Sequence, residues 1–159
     1  IHYAMAEREN KYMLSGTVEI DDTYVGATTK GKPQYLKMEC LENLKGVIIG
    51  KYANKHIVED STIESDACRA YLKPLAQKYM HVYSIFDTNS TYDLERKIFI
   101  QRTYHWMERR HINLYLAEFC FLFNRRHFHE MLYQRLKIAA LAAPVCRYTK
   151  FVNSFADSK

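Results

Sequence analysis

Two adjacent aspartates, Asp21 and Asp22, end an alternating stretch in residues 14–26, LSGTVEIDDTYVG. The alternation places Glu19 and Asp21 on one face of a predicted strand and hydrophobic residues on the other face. A carboxylate at the end of a rigid strand is a hard oxygen ligand that suits Mg²⁺ or Mn²⁺. A strand that runs into a polar turn would have the same residues. The segment alone therefore leaves both interpretations open.

Two further acids have comparable positions. Asp66 follows a short predicted strand at residues 61–65, and Glu95 lies at the start of a basic helical region. Three carboxylates on two strands and a helix can converge on two metal ions, which would clamp the attacking and leaving oxygens of a phosphodiester displacement. No GxxxxGKS or GxxxxGKT loop is present, so nucleotide hydrolysis is not indicated.

The charge of the chain is unevenly distributed. The formal net charge is +5, and residues 96–150 contain 11 Lys or Arg residues and 3 acids, whereas residues 1–95 contain 11 basic and 14 acidic residues. An acidic front half and a basic back half suit an enzyme that acts on a polyanion, although a solvated basic surface has the same composition. The candidate phosphate contacts are Arg96, Lys97, Arg102, Arg109, Arg110, Arg125 and Arg126.

The order of predicted elements is mixed α/β. Strands are predicted at residues 16–24, 61–65 and 81–86, and helices at 4–10, 41–56, 67–79, 112–123 and 128–142. In the helix predicted at 112–123, the apolar spacing predicts a core face of Ile112, Tyr115, Leu116, Phe119, Cys120 and Phe123. In the helix predicted at 128–142, the residues predicted to face inward are Met131, Leu132, Leu136 and Ala139.

Composition excludes several classes. No apolar run approaches the roughly 18–20 residues of a membrane span. The four cysteines are scattered without a CxxC pair. A zinc site of the usual spacing is therefore not expected, and a reducing, intracellular setting is expected.

Three segments, in the same order, resemble the catalytic domain of ISXO-type bacterial insertion-sequence transposases. Residues 14–26 are similar to that family's LxGxVExDExYxGG segment, which has the first catalytic aspartate. Residues 61–72, STIESDACRAYL, resemble the STVYTDxxxxY segment, whose aspartate ends a strand. Residues 111–127, HINLYLAEFCFLFNRRH, resemble the late helix HLxxYLxEFxFRFNRR.

The resemblance implies an RNase H-like α/β core at residues 14–143, with a mixed sheet and flanking helices. A lead-in helix would occupy residues 1–13 and a tail residues 144–159. The implied activity is that of a DDE-type transposase, which cuts and joins DNA at insertion-sequence ends with two Mg²⁺ or Mn²⁺ ions. The expected partners are transposon-end DNA, target DNA and further copies of the chain in a synaptic complex, without a membrane. The implied location is the cytoplasm, with nucleoid association in a bacterium.

Position by position, Asp21 and Asp66 match the first two catalytic acids of the family. Glu95 fits the third position, with Asp93 and Asn89 as rivals, because DTNSTYDLERKIF departs from the family's TNxIExxW segment.

The spacing between the first two acids is a departure from the family. Residues 27–57 are expected to be too short for the central antiparallel strands that the family places there, which predicts a truncated core. Metal sites tolerate little distortion of their ligands. One alternative is therefore a catalytically inactive, decayed transposase remnant that acts at most as a basic DNA-binding module. Another is a nuclease of RNA/DNA hybrids, which the match to the late helix disfavours.

Overall fold

The computed structural model describes residues 1–20, 25–27, 35–66, 68–84 and 111–146, with the backbone alone at 25–27 and 84. These ranges form a mixed α/β fold, as the sequence predicts. A 3₁₀ segment, Arg126–Met131, joins the last two helices. The elements in chain order are α1 (His2–Glu9), β1 (Thr17–Ile20), β2 (Val25–Ala27), β3 (Tyr35–Lys37), α2 (Gly46–His56), β4 (Thr62–Asp66), α3 (Arg69–Ala76), β5 (Met80–Ser84), α4 (Ile112–Asn124) and α5 (Leu132–Ala142).

The five strands form one mixed sheet in the order β3-β2-β1-β4-β5. Strand β2 is antiparallel to both β1 and β3, whereas β4 is parallel to β1 and to β5. In the sequence, β2 and β3 come between β1 and β4, and each is only three residues long. Residues 27–57 contain β3 but only the last residue of β2, so the expectation that this segment is too short for the central antiparallel strands of the family stays a prediction.

One face of the sheet is covered by α2 and α3. Along β1 and β4 the side chains alternate, so that Val18, Ile20, Ile63 and Ser65 are buried and their neighbours are half-buried. The apolar members of this set pack against side chains from both helices and the segments beside them: Ile49, Tyr52, Ala53, Ile57, Tyr71, Leu75 and Tyr79. Strand periodicity thus identifies the inner face of β1 directly from the sequence.

Two glycines of α2 face α3. A Cβ atom at Gly46 would lie 3.4 Å from the Ala70 carbonyl oxygen and from Pro74 Cγ, and one at Gly50 would lie 3.4 Å from Pro74 Cβ. The two glycines are four residues apart and therefore share a helix face. These distances are at the short limit of ordinary van der Waals contact, so α3 packs against this face of α2.

A third glycine, Gly16, precedes β1 and has a φ of +83°, a left-handed conformation that favours glycine. Its carbonyl oxygen accepts the N–H of Thr62 at 2.9 Å. The glycine therefore sets the entry of the chain into β1 and begins its pairing with β4.

A second apolar cluster joins α1, α4 and α5. Met5, Phe121 and Ala139 are buried there, with Leu132 and Leu136 packed against them. The prediction that Leu132, Leu136 and Ala139 of α5 face inward therefore agrees with the packing.

The predicted core face of α4 is only partly correct. Leu116 and Cys120 are buried, but Tyr115, Phe119 and Phe123 are half-buried. Because the helix contacts both α1 and β3, its most buried side is rotated from the predicted one.

The inward prediction for Met131 is wrong, since this side chain is 58% exposed. The helix predicted from residue 128 begins only at Leu132, because the chain bends at His129, where φ is 30°. Among the described residues, no helix has both the length and the apolar character required to cross a membrane.

Candidate functional site

Asp66 is the last residue of β4 and is half-buried. In the parallel pairing of β1 and β4, Ile20 lies opposite Ser65. The residues that directly precede Asp21 and Asp66 in the sequence are therefore partners on neighbouring strands. The other candidate metal ligands, Asp21, Glu95 and its rivals Asp93 and Asn89, lie outside the described residues.

The face of the sheet that has Asp66 is acidic. Glu19 on β1 pairs with Glu64 on β4, and both are half-buried. Paired positions in a parallel sheet direct their side chains to the same face, and Asp66 follows Glu64 by two residues on that face. Neighbouring carboxylates repel one another, and a bound cation relieves that repulsion.

The main chain at Asp66 is held by a neighbouring serine and histidine. Ser65 Oγ donates a hydrogen bond to the Asp66 carbonyl oxygen at 2.8 Å and lies 2.8 Å from His81 Nε2. Because the hydroxyl has one hydrogen, this arrangement requires the imidazole to donate to Ser65 Oγ. Burial lowers the pKa of His81, which favours the neutral ring. Neither residue was identified from the sequence, since a serine in a strand and a histidine in the next strand have no recognisable spacing.

The Asp66 carboxylate also contacts the start of α3. Its Oδ1 accepts the N–H of Cys68 at 3.2 Å. Within the described ranges, no group of three or more His, Cys, Asp or Glu side chains is placed to hold a metal ion. Of the predicted ligand set, the described part of the chain thus contains Asp66 alone.

The two predicted DNA contacts within the described residues have different environments. Arg125 is buried, and its Nη1 donates to Glu9 Oε1 and, at 3.1 Å, to the Phe121 carbonyl oxygen. Arg126 is half-buried, and its guanidinium lies 3.9 Å from the centre of the Phe123 ring. The remaining candidates, Arg96, Lys97, Arg102, Arg109 and Arg110, lie outside the described residues.

Arg125 belongs to a buried polar network that joins three elements. The side chains of Arg125 and Glu9 are only 9% and 8% exposed. The second carboxylate oxygen of Glu9 accepts a hydrogen bond from Asn124 Nδ2 at 2.8 Å. Asn124 and Arg125 of the NRR part of the late-helix segment therefore connect α4 to α1. The basic composition of the segment did not indicate this role.

Asn124 also pairs with an edge strand of the described sheet. Its Oδ1 accepts the Leu36 N–H at 2.7 Å, and its Nδ2 donates to the Leu36 carbonyl oxygen at 2.9 Å. A side-chain amide offers an N–H donor and a carbonyl acceptor, as a peptide group does. Asn124 therefore makes with Leu36 of β3 the two hydrogen bonds that a neighbouring strand would make.

Asn124→Ala is expected to lower the free energy of unfolding by about 2–4 kcal/mol, because the peptide groups of buried Leu36 lose both partners. Urea denaturation would measure the change, and amide exchange of Leu36 should accelerate with it. Asn113→Ala is the matched control, since Asn113 accepts one exposed hydrogen bond from the Cys40 N–H. Equal effects of the two substitutions would contradict the role assigned to Asn124.

A second charged group surrounds Glu39, just after β3. Its carboxylate lies 2.8 Å from His56 Nε2 and within 3.0 Å of Lys55 Nζ. The hydrogen bond with His56 is the main cause that lowers the pKa of Glu39 to about 2. Burial lowers the pKa of His56 itself, so the neutral imidazole donates to the carboxylate.

The Glu39 group predicts acid sensitivity. A depressed carboxylate pKa stabilises the fold above the ordinary value near 4.5, and this stabilisation is lost as the pH falls toward 2. Glu39→Gln should therefore lower the free energy of unfolding by up to about 3 kcal/mol at pH 6. The difference from the native chain should shrink as the pH falls from 4.5 toward 2. Glu42→Gln, at an exposed position, is the control; a difference at Glu39 that does not vary with pH would refute the explanation.

Comparison of the chain with protein-family models, curated proteins and solved structures gives no significant match.

Proposed function

We propose that this chain is the catalytic domain of a DDE-type, ISXO-like transposase with an RNase H-like core. It would cleave DNA at insertion-sequence ends and join the cut ends to target DNA. Asp21 and Asp66 would bind the metal ions, and Glu95 would complete the site, with Asp93 and Asn89 as alternatives. Two Mg²⁺ or Mn²⁺ ions would activate the attacking water or 3′ hydroxyl and stabilise the departing oxygen.

The observation that carries the proposal is the pairing of Ile20 with Ser65. The resemblance assigns metal ligands to the next residue on each strand. Adjacent strands are about 4.8 Å apart, and two metal ions in such enzymes are about 3.5–4 Å apart. Ligands that follow paired positions on adjacent parallel strands are therefore compatible with one shared metal pair.

The arrangement of the sheet adds support. The family places antiparallel strands between its two aspartates and ends a strand at the second one. In this chain the antiparallel strands β2 and β3 come between β1 and β4 in the sequence, and β4 ends at Asp66. This order of elements supports a working enzyme over a decayed remnant.

The proposed phosphate contacts are the basic residues of the back half. Their role is to give affinity to the DNA backbone without reading its sequence. Arg125 is left out of this set because the Glu9 carboxylate already occupies its guanidinium. The set that remains is Arg96, Lys97, Arg102, Arg109, Arg110 and Arg126.

Metal-dependent cleavage of DNA by the native chain and by Asp66→Asn tests the proposal. Cleavage that needs Mg²⁺ or Mn²⁺ and disappears in the variant would support it. DNA binding alone would not support the proposal, because a basic remnant would also bind DNA with strong salt dependence. Cleavage of RNA/DNA hybrids in preference to DNA would favour the alternative nuclease.

A further inference from the structure

A cavity of about 140 Å³ lies between α1, α2, α4 and residues 37–39. Asp66, the one proposed metal ligand within the described residues, is not among the residues that line it. The described ionisable residues of its lining are Glu9, Lys37, Glu39, Lys55, His56 and Cys120.

The two carboxylates of this cavity already have cationic or hydrogen-bonding partners. Glu39 is bound by Lys55 and His56. Glu9 is bound by Arg125 and Asn124.

Lys37 is different. It is only 5% exposed, and its Nζ donates to the main-chain carbonyl oxygen of Glu9. Among the described residues, no carboxylate lies within ion-pair distance of this ammonium group. A buried ammonium has three donors and a large desolvation penalty unless a counter-charge is near.

A second donor is available in the lining of the same cavity. The Oδ1 atom of Asn113, another lining residue, accepts the Cys40 N–H. This bond orients the side-chain amide as an acceptor toward Cys40 and leaves its Nδ2 as a donor.

Other occupants fit the lining less well. A divalent cation would meet the ammonium group of Lys37, which repels it. Burial raises the pKa of the Cys120 thiol to about 12, so this residue is a protonated, unreactive thiol rather than a nucleophile or metal ligand.

We propose that this cavity binds a small oxyanion of the phosphate class, with the Lys37 ammonium as its charge partner and Asn113 as a second donor. The anion would contact the ammonium directly, whereas the Glu9 and Glu39 carboxylates act on it only from beyond ion-pair distance. Burial lowers the pKa of Lys37, and these carboxylates oppose that effect only in part. Inorganic phosphate and a phosphodiester group of DNA share this chemistry.

The test compares the full chain in phosphate and in chloride at pH 7 and equal ionic strength. Saturating inorganic phosphate should raise the Tm by about 2–4 °C, since binding to the folded state alone stabilises it. Dimethyl phosphate serves as the phosphodiester probe. Comparable stabilisation by both compounds would identify a DNA backbone group as the ligand, and stabilisation by inorganic phosphate alone would identify the free anion.

Two variants make the test specific. Lys37→Met should weaken phosphate binding roughly tenfold to a hundredfold, because a charge-assisted hydrogen bond is lost. Ala117→Leu fills the cavity from α4 and should abolish binding while Lys37 stays in place. Lys51→Met, on the exposed side of α2, is the control and should bind phosphate as the native chain does.

The proposal is overturned if neither phosphate compound stabilises the native chain, or if Lys37→Met binds phosphate with native affinity. If Lys37→Met does not fold, Ala117→Leu decides. Undiminished phosphate binding by that variant would place the anion elsewhere and equally overturn the assignment.

Discussion

Glu9→Gln is expected to lower the free energy of unfolding by about 3–5 kcal/mol, the usual cost of leaving one buried charge without its partner. The substitution retains the size of the side chain and one of its two acceptor oxygens, so the loss combines the charge with one of the two hydrogen bonds that Arg125 and Asn124 donate. Within the described part of the chain, Arg125 would then be buried without a counter-ion, since its other hydrogen bond there goes to the Phe121 carbonyl oxygen. The contact between α1 and α4 therefore depends for its stability on the Glu9–Arg125 ion pair.

Urea denaturation of Glu9→Gln and of Glu7→Gln would measure the effect. Glu7 lies on the same helix and is half-buried, so its substitution should change the free energy of unfolding by less than about 0.5 kcal/mol. The double variant Glu9→Gln, Arg125→Met should recover most of the loss, because an apolar side chain tolerates the buried position. Similar values for the two single variants would show that the ion pair contributes little.

Asp66→Asn is expected to weaken Mn²⁺ binding by about a hundredfold or more. Loss of a residue that merely orients a ligand costs 10–100-fold in metal affinity, and a direct ligand should cost at least as much. The amide retains the hydrogen bond that Asp66 Oδ1 accepts from the Cys68 N–H, so the local fold should persist.

The matched control for this substitution is Asp60→Asn, which removes a carboxylate at an exposed position just before β4. Calorimetric titration with Mn²⁺ would give the affinity of each protein, and far-UV circular dichroism would show whether the fold is retained. Native affinity in Asp66→Asn would remove Asp66 from the ligand set. Equal weakening in both variants would indicate a general charge effect.

The elements with strong periodicity were predictable from the sequence. The inner face of β1 follows from simple alternation, and Ala139 of α5 lies inward as the helical spacing requires. The position of Asp66 at the end of a strand followed from the polar residue after STIES.

The exposed side of α4 was harder to predict. Every position of FCFLF is apolar, so helical spacing alone cannot choose between Phe121 and the stripe of Phe119 and Phe123. The choice depends on contacts with α1 and β3, which are distant in sequence. The bend at His129 likewise has no sequence signal, since the residue is neither glycine nor proline.

The role of Arg125 could not be predicted from composition. Two adjacent arginines in a basic half favour phosphate binding, and only the position of Glu9, 116 residues away, identifies a buried ion pair. The register of Ile20 and Ser65 was also inaccessible, because strand pairing between residues 45 apart depends on the whole sheet.

The measurement that tests the central claim most directly is nicking of supercoiled plasmid DNA by the native chain in Mg²⁺ or Mn²⁺, beside Asp66→Asn and Asp60→Asn. We predict nicking by the native chain and Asp60→Asn, its loss in EDTA, and its loss in Asp66→Asn with DNA binding unchanged. Absence of nicking by a folded, DNA-binding native chain, or equal nicking by Asp66→Asn, would contradict the proposed metal-dependent cleavage at this site.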